Sequence, residues 1–102
     1  MLKKPEGKIF IFYDCIVGDE YCGSYSSFNE TEYDNAKRQQ LDYIKNAVLE
    51  NKEISGLSTI EEIDFYKKFL IEEISYFEEL STSKIKWLEY WFEIAKIELI
   101  NI

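Results

Sequence analysis

The chain has 102 residues, with 20 Asp plus Glu against 12 Lys plus Arg, no His, and a formal net charge of −8. At 46% apolar and 17% aromatic residues, it is too hydrophobic for a disordered acidic tail and long enough for one core, though not for two ordinary domains. The acidity argues against direct nucleic-acid binding, which needs clustered Lys and Arg, and the missing His removes the commonest general base and zinc ligand.

Residues 1–8 are basic, but the apolar run Ile9 to Tyr13 is broken by Asp14. A secretory leader needs a longer uncharged segment and a small-residue cleavage site. No window approaches the ~18 apolar residues of a membrane span. The expectation is a single domain over 1–102, cytoplasmic and without membrane contact.

Residues 8–26 read as an antiparallel β-hairpin. β-branched and aromatic side chains dominate Lys8 to Val17, as strands prefer. Gly18-Asp19 suits a two-residue turn with Gly at its first central position. That turn pairs residues whose numbers sum to 37, which sets Cys15 opposite Cys22. In a reducing compartment these two are read as free, partly buried thiols; a disulfide stays open, and C-x₆-C without other Cys or His is not a zinc pair. Asp14, Asp19 and Glu20 cluster near the turn, but nothing supplies the further ligand or pocket that catalysis or metal binding needs. Asp19 is better explained as a turn residue. Ser24, Ser26 and Ser27 lack a partner base and read as strand-end residues. Tyr13, Tyr21 and Tyr25 are candidate interface anchors, because Tyr offers a large area, a polar tip and little entropy loss.

Residues 29–102 read as helical. Asn29 with Glu32 forms an Asn-headed capping box, and Phe28 with Tyr33 a hydrophobic staple. The stripe Tyr33, Ala36, Gln40, Leu41, Ile44, Ala47 and Val48 predicts a first helix to about Glu50, followed by a loop over 51–57. A second helix starts at Ser58 or Thr59, with Glu61 or Glu62 completing the respective cap. Its stripe is Ile60, Ile63, Tyr66, Leu70, Ile74, Phe77 and Leu80. Ser81-Thr82-Ser83 ends it and caps a third helix, Lys84 to about Ile100. That helix is apolar almost all round, including Trp87, Trp91 and Phe92, and is expected to be central or to form a homodimer seam. The fold class read from this order is α+β: an N-terminal hairpin followed by three helices, the last largely buried.

Residues 57–81 alone contribute −5 of the net charge. The carboxylates are Glu61, Glu62, Asp64, Glu72, Glu73, Glu78 and Glu79. At 100° per residue Glu61, Asp64, Glu72 and Glu79 share one side, Glu62 and Glu73 flank it, and Lys67 and Lys68 interrupt it. Successive acids ~6 Å apart along the axis would match phosphate spacing on a nucleic-acid strand. The plain alternative is an ordinary solvated helix face. Like charge held in one segment costs stability through self-repulsion, which weighs toward a use for it.

No phosphate loop, dinucleotide fingerprint or catalytic triad pattern is present. The sequence therefore reads as a non-enzyme with no cofactor and no metal. Ile and Lys are abundant and Arg38 is the only Arg, as in AT-rich genomes. In size, acidity and residue usage the chain resembles two broad groups: phage-encoded inhibitors of bacterial defence, anti-CRISPR-like proteins among them, and immunity proteins that block bacterial toxins. The resemblance rests on no motif and assigns no residue a role. The expected function is an acidic inhibitor that acts as a nucleic-acid mimic on the basic, nucleic-acid-handling surface of another protein. The seven carboxylates would face that partner, with Tyr13, Tyr21 and Tyr25 as anchors. A phage anti-defence protein is the preferred form. The alternatives are an immunity protein against a nuclease toxin, or a small homo-oligomeric structural or ligand-sequestering protein.

Overall fold

In a computed structural model, the backbone is described for residues 3–13, 16–17, 20–21, 24–28, 30–77 and 80–100, and the side chains for 3–12, 31–76 and 80–100. The elements are β1 (Ile9–Tyr13), β2 (Ile16–Val17), β3 (Glu20–Tyr21), β4 (Ser24–Phe28), a 3-10 turn (Glu30–Glu32), α1 (Tyr33–Ser55), α2 (Thr59–Phe77) and α3 (Thr82–Ile100).

The α+β expectation is corrected. Where side chains are described, 81% of residues are helical, β1 is the single strand, and no sheet forms a layer. The molecule is a small, mostly helical globule. The chain preceding the helices is a backbone ribbon. β1 pairs antiparallel with β4 from Ile9↔Phe28 to Tyr13↔Ser24, and β2 with β3 from Ile16↔Tyr21 to Val17↔Glu20, in the register expected from the turn. Gly18-Asp19 and the Cys15–Cys22 pair lie outside the described residues.

The ribbon stays two-stranded at β1 for a physical reason. Phe10 and Phe12 turn their backbone polar groups to the same edge of the strand. The buried Gln40 of α1 accepts from Phe12 N–H and donates from Nε2 to Phe12 O at 2.7 Å. Trp91 of α3 donates from Nε1 to Phe10 O at 2.7 Å. Helix side chains thus satisfy the edge that a third strand would need.

α1 is longer than its apolar stripe indicates. It runs to Ser55 and ends at Gly56, which takes the left-handed conformation (φ 74°) and returns its N–H to Lys52 O at 3.1 Å. Residues 51–55 are all exposed, so they extend the helix without adding to its core stripe. At its start, α1 follows a 3-10 turn, and Glu32 makes no side-chain cap bond; Asn29 lies outside the described residues. The second helix begins with the Ser58 form of the cap: Glu61 N–H donates to Ser58 Oγ at 3.2 Å, and Ser58 Oγ donates to Glu61 Oε1 at 3.1 Å. Ser81 caps α3 by accepting from Lys84 N–H at 3.2 Å.

α3 is the hub, packing on α1, α2 and β1. Trp87, Trp91 and Phe92 are fully enclosed within the chain, so they are core residues and not a seam between copies. Trp91 stacks on Trp87 (centroids 5.4 Å) and on Tyr33 (6.0 Å), and the Tyr33 and Tyr90 hydroxyls meet at 2.6 Å. Ile60, placed in the core stripe from its spacing, is 45% exposed, at the edge of the buried face.

Candidate functional site

α2 presents its outer face to solvent between two flanks that pack on α1 and α3. Among the described residues that face carries Glu61, Asp64, Phe65, Lys68, Glu72 and Tyr76, all exposed. Their wheel positions fall within roughly 120°. Phe65 is 60% and Tyr76 83% exposed, a large commitment of aromatic surface to water.

Of the seven carboxylates expected to act together, the five that are described, Glu61, Glu62, Asp64, Glu72 and Glu73, do not form one continuous row. Glu61 belongs to the Ser58 cap. Asp64 meets Lys96 of α3 at 3.9 Å. Lys68 stands between Asp64 and Glu61 on the wheel, and Glu73 is half-buried on the flank. Glu78 and Glu79 lie outside the described residues, as do the side chains of Tyr13, Tyr21 and Tyr25. Asp14, Asp19, Cys15, Cys22 and the Glu20 side chain lie outside them too. Among the described residues no group of three or more acids, His or Cys could hold a metal ion.

Glu62 is a correction. It was expected beside the solvent-facing acids, yet only 2% of it is exposed. The cause is the added length of α1, whose last turn lies over the first turn of α2. Ser55 Oγ, which accepts from Leu57 N–H at 3.2 Å, donates to Glu62 Oε1. The N-terminus of α2 offers the carboxylate a favourable dipole. Glu62 Oε2 is buried and has no hydrogen-bond partner among the described residues.

Glu62 also lines an open groove of about 710 Å³ between α1 and α2. Tyr43, Ala47 and Ile54 form the α1 wall, and Phe65, Tyr66 and Phe69 the α2 wall. Sequence reading missed Phe65, Phe69 and Tyr76. The available signal was that all three aromatics fall off the α2 core stripe. A second cleft, about 660 Å³, opens near the start of α3 and mixes Lys3, Lys4, Lys67 and Lys86 with Glu6, Glu89 and Glu93. Its charges are interleaved, which leaves no clear anion site. Among the described residues no helix is long and apolar enough to cross a membrane.

Comparison with known proteins gave no matching family model, no matching curated protein and no matching solved structure.

Proposed function

We propose that this chain is a small acidic inhibitor that docks the outer face of α2 on the basic, nucleic-acid-handling surface of another protein. The observation that carries the reading is the joint exposure of Phe65 and Tyr76 beside Glu61, Asp64 and Glu72 on that one face. Aromatic anchors supply contact area, and flanking carboxylates select a basic partner and speed association. The net charge of −8 gives the same sign to the long-range field. Docking through a mixed acidic and aromatic patch replaces a continuous phosphate-like row, because Lys68 and Phe65 interrupt the acids. A phage anti-defence protein remains the preferred form of such an inhibitor.

The test is capture of DNA- and RNA-binding proteins from a low-GC bacterial lysate on immobilised chain, with heparin as competitor. The reading requires a stoichiometric basic partner, displaced by heparin and lost with Glu72→Lys combined with Phe65→Ser. Both sites are exposed, so the fold should survive, as a circular dichroism melt would verify. Capture unaffected by that double variant rejects α2 as the docking face.

A further inference from the structure

The α1–α2 groove holds a feature that the docking face does not use. Among its lining residues is the Glu62 carboxylate, almost wholly removed from water, with one oxygen bonded to Ser55 and the other without a hydrogen-bond partner among the described residues. Ser55 and the α2 N-terminus offset part of the cost of removing this carboxylate from water. Among the described residues the groove lining contains Glu50 and Glu62 but no Lys or Arg. Lys52, the cation closest in sequence to Ser55, donates to Thr59 Oγ1 at 2.9 Å. The charged lining of the groove is therefore acidic only, which favours a cationic ligand over an anionic one.

We infer that this groove binds an alkylammonium group, with Glu62 Oε2 accepting from the ammonium and the aromatic walls holding its apolar stem. Three observations select this chemistry. The lining groups supply no metal-binding cluster. A single available carboxylate oxygen suits the compact ammonium donor better than a guanidinium, whose planar fork engages two oxygens at once. Phe65 and Phe69 on one wall and Tyr43 on the other offer ring surface to a methylene chain and its cationic end, with the Tyr66 ring packed beneath them. Glu50, exposed at the rim, adds a second negative charge on the approach. This inference does not need the proposed docking function, since it rests on Glu62, although Phe65 belongs both to the docking face and to the groove wall.

The test is isothermal titration of the full chain with n-hexylamine hydrochloride, with hexan-1-ol as neutral isostere and Nα-acetyl-lysine methylamide as the side-chain mimic. Glu62→Gln keeps the shape and removes the charge, and should weaken amine binding by roughly tenfold or more, the loss of one charge-assisted hydrogen bond. Ile54→Ser trims an 88% exposed wall residue, so it should weaken binding without unfolding the chain, even if Glu62→Gln fails to fold. Binding of hexylamine alone identifies a free amine as the ligand source, whereas binding of the acetyl-lysine probe as well identifies a lysine side chain. Either supports the inference when the variants reduce it. No binding of either amine, equal binding of hexanol, or binding untouched by both variants overturns it.

Discussion

Gln40 shows how one side chain can decide a topology. Its amide both donates to and accepts from the Phe12 backbone in a buried site. Gln40→Leu would leave both Phe12 groups without a partner, at about 1–3 kcal/mol each, so a loss of about 3 kcal/mol in urea unfolding is expected. A change below about 0.5 kcal/mol, the usual range for surface substitutions, would mean that the β1 edge is not held this way. In the sequence Gln40 was visible only as a polar member of an apolar stripe. Its partner became definite when β1 lay across α1, a contact 28 residues away. Tyr33 adds a titratable case. Burial, then the Tyr90 hydroxyl, then Asp34, push its phenol well above the ordinary tyrosine value. A raised folded-state value means that the native chain holds this proton more tightly than the unfolded chain. The stabilisation is complete below about pH 10, the unfolded value, and is lost as pH rises through the higher folded value. Tyr33→Phe should therefore flatten the alkaline fall in urea midpoint. An unchanged alkaline slope would assign that fall to other groups.

At the scale of elements, the caps decide what is exposed. The three helices and the Ser58 and Ser81 starts were legible because caps and 3.6-residue periodicity are local signals. The end of α1 was not, because Glu50 to Ser55 add nothing to the core stripe and are tied to α2 by contacts that only the fold creates, Lys52 to Thr59 and Ser55 to Glu62. That shift of a turn and a half is what brings Ser55 to Glu62 and converts an expected surface acid into a buried residue of the groove lining. The end itself is set by Gly56, at φ 74° with open space where a Cβ would stand. The obstacle to Gly56→Ala is therefore backbone strain alone, about 1 kcal/mol. A thermal melt should show Gly56→Ala less stable than the parent chain, with Gly56→Asn intermediate because Asn tolerates the left-handed region better. Equal stability of all three would mean that α1 can end elsewhere at no cost. The hairpin register was equally local and follows the turn, but the fold class built on it was not. Pairing two strands says nothing about whether a helix side chain or a third strand takes the free edge.

For the whole molecule, charge acts in two opposed directions that salt can separate. With a net charge of −8, the folded chain brings like charges together, and the ion pairs Lys45–Glu98 (3.5 Å) and Lys96–Asp64 (3.9 Å) are partly exposed and weak. Raising NaCl from ~0.1 M to ~1 M shortens the screening length from ~10 Å to ~3 Å. Self-repulsion is then relieved, so the urea midpoint of the free chain should rise. Attraction to a basic partner is screened by the same salt, so capture through α2 should weaken over that range. The two responses have opposite signs because one concerns charges within the chain and the other charges across an interface. A midpoint that falls with salt would mean that attractive pairs outweigh repulsion in the native state, and the retained acidity would then have a structural explanation. A midpoint that rises while partner capture falls leaves the acidic face costly to the fold and useful only in the complex, the combination expected of a surface kept for binding.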